Sequence, residues 1–252
     1  MIIDVAVSGL ITRHSVCLTF SMPVSYKEKI ASIRGVRSVA ISNWFGGRYQ
    51  NEWKNFFPNF AVDAEEYLAM HPEYVLSDGA RSAFLKDQRA CVLGRETAER
   101  FGWKVGDVFQ LESIIPTYRK SEPFEFVIAG IYDTDPVRYP AAILTLMLFH
   151  YKYLYEGTSH EAQVGTFITQ VDDPSMAVTV SKAIDDLFEN SDTPAKTETE
   201  SAFRASFVSL GGNLALLLRT IALAVTFTIL LVTANTMSMA VRERRTEIGI
   251  LK

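Results

Sequence analysis

The 252-residue sequence predicts an α+β domain followed by one membrane-crossing helix. Three observations carry that prediction. Residues 220–241 (TIALAVTFTILLVTANTMSMAV) run without an ionisable side chain between Arg219 and the cluster Arg242, Glu243, Arg244 and Arg245. At 1.5 Å per residue such a helix is about 30 Å long, the thickness of a bilayer's hydrocarbon core. Ahead of it, two strand–helix–strand patterns bracket a longer stretch of short strands and helices. Aromatic residues make up 12% of the chain, too many for a disordered one, and the roughly 215 residues before the apolar run suffice for one or two packed domains.

Residues 1–14 are mixed and carry no clear signal. Residues 16–20 (VCLTF) read as a strand, ended by Met22 and Pro23. Ser25 and Glu28 are spaced as a capping box, which starts a helix with Tyr26, Ile30 and Ile33 on one face and Gly35 as its stop. Residues 36–41 (VRSVAI) return as a strand. Next, Trp44, Phe45, Tyr49, Trp53, Phe56, Phe57 and Phe60 crowd into one stretch around the tight turn of Gly46 and Gly47. Two readings stay open for it. Trp44, Phe45, Trp53, Phe56 and Phe57 form a ligand or partner surface, where aromatics are enriched, or the aromatics seal two subdomains together.

Asp63 caps a short helix over 63–70, with Glu65 and Glu66 in its first turn, and His71-Pro72 ends it. Residues 74–87 read as loop and helix. The stretch 91–111 (CVLGRETAERFGWKVGDVFQL) reads as strand, helix over 95–101, Gly102 cap, turn at 105–107 and strand. Residues 124–131 (FEFVIAGI) form an apolar strand, stopped by Asp133, Asp135 and Pro136. Residues 141–150 (AAILTLMLFH) are too short to span a membrane and read as a core or re-entrant segment. Residues 163–171 alternate as a strand. Asp173 and Pro174 then open a helix to Phe188 with Met176, Val180, Ile184, Leu187 and Phe188 on its apolar face, and 196–199 form a last strand. Residues 203–218 lead helically into the apolar run, with Gly211-Gly212 as a candidate joint. The apolar run is less greasy than a lone anchor: Thr226, Thr228, Thr233, Asn235, Thr236 and Ser238 suit a helix packed against other helices.

Charge sets the expected orientation. Arg242, Arg244, Arg245 and Lys252 follow the run and Arg219 alone lies close before it, so the C-terminus is expected in the cytoplasm and residues 1 to about 215 outside. A domain of that size crosses ahead of a late helix only behind an earlier membrane segment. Ile2 and Ile3 are followed at once by Asp4, so the sequence is expected to be a piece of a longer chain. The net charge of −4 argues against nucleic acid as a partner. Cys17 and Cys91 make no disulfide scaffold; two readings stay open, a pair if the domain is periplasmic or lone buried thiols.

Chemistry-bearing motifs are missing. The sequence has no G-x-x-x-x-G-K-[ST], G-x-G-x-x-G, H-E-x-x-H or G-x-S-x-G. His14 and Cys17 are spaced as half a metal site without a second pair, and His150 and His160 read as ordinary histidines. The acidic pairs Asp133/Asp135, Asp172/Asp173 and Asp185/Asp186 fall at strand ends, a cap and a solvated helix face. No catalytic residue, cofactor or metal is expected.

The closing run 241–252 (VRERRTEIGILK) continues the helix as a charged, amphipathic segment. It resembles the coupling segment of FtsX-like ABC transporter permeases, where E-R-x-x-E-I-[GA]-x-L-[KR] recurs: Glu243, Arg244, Glu247, Ile248, Gly249, Leu251 and Lys252 stand in those places. LGRETAERFGWKVGDVFQL followed by FEFVIAGIYD is similar to the MacB-like periplasmic core domain of the same permeases. The resemblance implies a porter-like βαβ unit split by an inserted α+β subdomain. Its halves would be 1–46 and 161–201, the insert 47–160, the pre-membrane and membrane helix 202–241, and the coupling segment 242–252. It implies a non-enzymatic permease subunit of the bacterial inner membrane whose Arg242, Glu243, Arg244, Arg245, Glu247, Ile248, Leu251 and Lys252 contact a separate cytoplasmic ABC ATPase, which binds the ATP. Motion would pass through the helix to the periplasmic domain, for export or for handling of lipoproteins or peptides. Further implied partners are a second permease copy or a paired permease, membrane lipid and a periplasmic adaptor. Such permeases carry a transmembrane helix before the domain and two more after the coupling segment, which again implies a chain cut at both ends. The alternative is a membrane-anchored extracytoplasmic binding or sensor domain without a transport role.

Overall fold

The structure is a computed structural model. It describes residues 9–17, 20–135, 137, 139, 141–156 and 163–250, and of residues 204–216 and 242–250 only the backbone. The chain divides into two compact units, residues 1–200 and 201–252.

In the first unit the elements run β1 (Gly9–His14), β2 (Met22–Pro23), α1 (Tyr26–Ala31), β3 (Val36–Trp44), β4 (Gly47–Tyr49), β5 (Asn59–Val62), α2 (Ala64–Met70), α3 (Asp78–Lys86), β6 (Ala90–Gly94), α4 (Arg95–Phe101), β7 (Val108–Ser113), β8 (Phe124–Tyr132), β9 (Met147–His150), α5 (Tyr151–Tyr155), β10 (Gln163–Val164), β11 (Thr166–Val171), α6 (Ala177–Phe188) and β12 (Ala195–Thr199). Among the described residues, ten of the strands form one sheet in the order β12-β1-β11-β3-β5-β9-β6-β8-β7-β4, and β10 pairs with β2 apart from it. The pairs are antiparallel except β5 with β9 and β6 with β8.

At the β12 end, strands from the two ends of this unit interleave. β1 lies between β12 and β11, and β11 lies between β1 and β3. Tyr26 and Ile30 of α1 and Val180, Ile184 and Phe188 of α6 share one core with Leu10, Val39, Ile41, Phe167 and Val171. Tyr26 stacks on Phe188 with ring centres 3.8 Å apart. On the opposite side α2 and α3 place Tyr67, Leu68 and Phe84 with Val62, Val92, Leu148 and Tyr132. An aromatic core at the other end holds Phe45, Phe57, Phe109, Phe124, Phe126 and Phe149.

β8 serves both of the last two cores through one irregularity. Cys91 pairs with Ile128 and Val92 with Gly130, so Ala129 is an extra residue in the ladder. Such a bulge reverses which face each later side chain takes. Phe124, Phe126 and Ile128 therefore enter the aromatic core, and Tyr132 enters the one under α2 and α3. Gly130 sits against α3: a Cβ there would come within 2.6 Å of the Ala80 Cβ.

Several local expectations change. The first strand is β1, not 16–20. Val16 and Phe20 lie in bends, exposed at 72% and 53%, while Leu18 and Thr19 are outside the described residues. Ile11 of β1 pairs with Ile168 and with Glu198, and no local run of β-formers replaces such ladder partners. Ser25 precedes α1 but has helical dihedrals (φ −60°, ψ −16°), and its side chain accepts no capping bond. The capping box is absent because its hydroxyl geometry requires an extended Ncap. Gly35 lies beyond the end of α1 and serves the following turn, with φ +94°. Asp63 precedes α2 without capping it and pairs with Lys27 of α1 instead. Residues 141–150 divide into a 3-10 turn, Ala141–Thr145, and the buried strand β9. Leu187 is 48% exposed; Ala177 takes its place on the buried face of α6.

The second unit is α7 (Glu200–Ile250), whose backbone stays helical through Gly211 and Gly212, the expected joint.

Candidate functional site

The two candidate sites are the aromatic stretch after β3 and the apolar helix with its charged end. In the first, the chain crosses from β3 to β4 through Gly46, whose φ of +61° is left-handed. The crossing is held by buried side chains. Asn59 accepts the Gly47 N–H at 2.7 Å and donates to the carbonyls of Gly47 (2.9 Å) and Phe57 (2.7 Å). Ser113 donates to the Phe45 carbonyl at 2.6 Å. Asn43 donates to the Tyr155 hydroxyl at 2.8 Å and accepts the Gly165 N–H at 2.6 Å. Asn43 and Asn59 are fully buried. No local sequence pattern marks these residues.

This frame turns most of the aromatic side chains inward. Phe45 is fully buried, edge-on to Phe124 (5.0 Å) and Phe149 (5.2 Å). Phe57 is buried against Phe101 and Trp103. Phe45 and Phe57 are thus core, not surface, because the sheet closes over them. Trp44 and Phe56 are half-buried. Trp53 remains outside at 68% exposure, with the Arg48 guanidinium 4.9 Å from its ring centre. Beside it an open groove of about 480 Å³ is lined by Arg48, Gln50, Asn51, Gln110, Glu112 and Glu125 among others. Gln50 and Asn51 hold two consecutive left-handed conformations (φ +53° and +55°). The groove offers carboxamides and charges of both signs.

The buried tyrosines have depressed acidity. Burial, with neighbouring tyrosines adding to it, pushes the Tyr74 and Tyr132 hydroxyls well above the usual phenol range. Burial alone pushes up the Cys91 thiol; Cys17 is half-buried. For Lys27, burial is the largest influence and lowers its pKa, but Asp63 and Glu66 together outweigh it and the net shift is upward. His14 Nδ1 accepts the Val16 N–H at 3.2 Å, and His150 Nε2 lies against the Phe84 carbonyl. His160 lies outside the described residues.

In α7, Leu217–Val241 is long and apolar enough to cross a membrane. At 1.5 Å per residue it spans about 37 Å. Its threonines do not need another helix: Thr226, Thr228, Thr233 and Thr236 each donate to the carbonyl four residues back, at 2.8–2.9 Å. The backbone of 242–250, carrying Arg242, Glu243, Arg244, Arg245, Glu247 and Ile248, continues the helix. The side chains of those residues, and Leu251 and Lys252 entirely, lie outside what the structure describes.

No protein-family model matches the chain, and no curated protein matches it. Solved structures do. The periplasmic region of MacB from Actinobacillus actinomycetemcomitans superposes with a TM-score of 0.54 at 8% identity, over 80% of this chain and 93% of that one. The extracellular domain of the noncanonic ABC-type transporter YknZ from Gram-positive bacteria superposes with a TM-score of 0.51 at 13% identity, over 75% of this chain and 99% of that one. The chain therefore has the mixed α+β fold of the MacB-like periplasmic domain, joined to one C-terminal helix of membrane-spanning length.

Proposed function

We propose that this chain is the permease subunit of an ABC transporter in a bacterial cytoplasmic membrane. Residues 1 to about 215 stand outside, α7 crosses, and the 242–252 segment meets a separate cytoplasmic ATPase. The observation that carries the reading is a conjunction in one chain: a fold shared with two extracytoplasmic transporter domains, then an apolar helix, then a basic flank. Neither the fold nor the helix alone would suffice, since folds host many functions. The strand order β12-β1-β11-β3 supports a porter-like unit made of 1–46 and 161–201, with 47–160 inserted. The subunit is not itself an enzyme. ATP hydrolysis in the partner drives the extracytoplasmic domain for export or for handling of a lipoprotein or peptide, with Trp53 and Arg48 on the face offered to a periplasmic adaptor.

The test is co-purification of the full chain from membranes with the ABC ATPase encoded nearest to it. A complex that hydrolyses ATP is expected, and Glu247→Lys is expected to weaken it while leaving protease resistance of residues 1–200 unchanged. Absence of any ATPase from the purified chain would overturn the permease reading in favour of an anchored binding domain.

A further inference from the structure

A strand inside a sheet exchanges backbone bonds on both sides, whereas an edge strand turns one row of N–H and C=O groups outward. β7 is inside the sheet over part of its length and an edge over the rest. β4 pairs with Leu111, Glu112 and Ser113 and goes no further. Past Tyr49 the chain leaves the ladder. Gln50 and Asn51 (φ +53° and +55°) form a turn closed by the Glu52 N–H on the Tyr49 carbonyl at 3.3 Å. The direction of the backbone groups left behind follows from their alternation. The Ile114 N–H donates to the Gly46 carbonyl on the β4 side, and the Ile128 N–H of β8 donates to the Asp107 carbonyl. Even-numbered residues of β7 thus face β4 and odd-numbered ones face β8. Val108 and Gln110 therefore point their N–H and C=O groups along the line of β4 after β4 has ended, and no backbone or side-chain group among the described residues bonds them there. Edges are commonly guarded by Lys, Pro or a bulge. Residues 108–110 carry none of these, and Val108 is 56% exposed. The open groove of about 480 Å³ lies here, lined by Val108, Phe109 and Gln110 of β7 and by Tyr49, Gln50 and Asn51 at the end of β4.

We propose that the Val108–Gln110 edge of β7 takes up an extended segment of another polypeptide as an added antiparallel strand along the line of β4. Unpaired N–H and C=O groups at alternate residues are the chemistry that recognises a second extended backbone. The shape of the edge selects a flexible segment over a second copy of this chain. The open stretch is three residues, about 10 Å, and is set back behind β4 by one strand spacing, about 4.8 Å. A single extended segment enters such a notch. The same edge of a second copy is set back behind its own β4 and cannot reach it. Side-chain alternation then fixes the pattern of the segment. Its residue opposite Phe109 faces the core side, where Trp103 stacks on Phe109 at 4.2 Å and the Tyr49 ring stands 5.1 Å from that of Trp103, so this residue is apolar. Its residues opposite Val108 and Gln110 face outward with Glu112, on the exposed side of β7, and are polar. The proposal stands apart from the transport reading: loss of the ATPase complex leaves it intact, and its own failure leaves that complex intact.

The test uses the full chain in detergent micelles and a capped synthetic peptide, acetyl-Lys-Val-Thr-Val-Thr-Val-Lys-amide, whose central Val is placed opposite Phe109 and its two Thr opposite Val108 and Gln110. Amide hydrogen exchange is read residue by residue. At peptide ten times its Kd, exchange at Val108 and Gln110 is expected to slow about tenfold, with no change at Phe109 and Leu111, which already face β8. Two N-methylated peptides test the geometry on the unaltered protein. Methylation of both Thr amides, which face the edge, is expected to weaken binding about tenfold or more. Methylation of the first and last Val amides, which face away, is expected to leave it within about twofold, since a slip of one residue would turn the Val side chains outward. Gln110→Pro, a change that an edge strand accommodates, is expected to weaken binding about as much as Thr methylation while exchange at Phe109 stays slow. Equal weakening by the two methylations, protection away from Val108 and Gln110, or no binding at about 1 mM peptide would overturn the proposal. Protection of these two amides that grows with protein concentration in the absence of peptide would assign the edge to a second copy and overturn it as well.

Discussion

β1 and β6 belong to one sheet but are buried differently. β1 alternates half-buried and buried residues, and its inward Leu10 meets α1 and α6. β6 is buried at every position: Cys91 and Leu93 enter the aromatic core, Ala90 and Val92 the core under α2 and α3. A strand with one half-open face has somewhere to put an added group. A strand closed on both faces does not, because interiors are packed to the density of organic crystals. Polar groups are held in both places, by different partners. Beside β1, Arg13 pairs with Glu198 at 2.9 Å and the buried Thr12 hydroxyl lies 3.0 Å from that of Thr197, whereas near β5 and β6 a fully buried amide holds the chain crossing.

The largest expected effect breaks the comparison if it fails. A Cβ on Gly94, at the end of β6, would stand 2.0 Å from the carbonyl oxygen of Leu144, a backbone atom that cannot swing aside. On Gly9, in β1, it would meet the flexible carboxylate of Glu200 at 2.2 Å. Gly94→Ala should lower unfolding free energy by about 3 kcal/mol or more and Gly9→Ala by less than about 1 kcal/mol, measured by denaturant unfolding of the full chain in detergent micelles. Equal losses would show that β6 is no more tightly enclosed than β1. Next in size, Asn59→Ala removes three hydrogen bonds and strands the Gly47 N–H and the Gly47 and Phe57 carbonyls away from water. A loss of about 2–3 kcal/mol is expected, and a loss below about 0.5 kcal/mol would mean that water reaches the crossing.

How much of this was legible depends on where each signal resides. α4 was, because its stop is local: Gly102 takes φ +70° directly after Phe101. So was the membrane run, which needs composition and length alone. β1 was not, since its partners lie more than 150 residues away, Gly9 beside Gln170 and Arg13 beside Lys196. The aromatic stretch was ambiguous because spacing cannot tell a ring that closes a core, such as Phe45, from one left in solvent, such as Trp53. Asn59 was invisible, because a buried amide and a loop amide are the same letter. The 242–252 segment was legible as a motif and as nothing else.

A smaller effect follows from Tyr132, whose hydroxyl lies 2.8 Å from the carbonyls of both Ile143 and Leu146, shares its single proton between them and so fixes the 3-10 turn beside Gly94. Tyr132→Phe should cost about 1–2 kcal/mol at neutral pH. Burial raises the Tyr132 pKa, so the neutral phenol is the form the fold holds. A raised folded pKa gives stability that is fully present below the unfolded value, about 10 for tyrosine, and lost as pH rises beyond it. Tyr132→Phe should therefore narrow the wild-type advantage above about pH 10. An advantage that stayed constant into strong alkali would place the phenol in water.

The smallest effect sits at the other edge of the sheet. β12 ends the sheet, and its outward backbone groups would template another strand. α6 occupies them: Asp185 accepts the Thr197 N–H at 2.7 Å, and Ser181 donates to the Thr197 carbonyl at 2.9 Å. Burial raises the Asp185 pKa, and its bonds to Thr197 only partly reverse that. Its raised folded pKa makes the associated stability complete below the ordinary carboxylate value, about 4, and lost as pH climbs through the folded one. Asp185→Asn keeps a carbonyl oxygen for the edge N–H and removes the charge. It should match or slightly exceed wild-type stability at neutral pH, and that margin should vanish on acidification as the wild-type carboxyl takes up its proton. A variant less stable than wild type at pH 7 and equal to it in acid would show instead that the ionised carboxylate closes the edge better than a neutral amide, and that its charge is solvated there as the half-open end of the sheet permits.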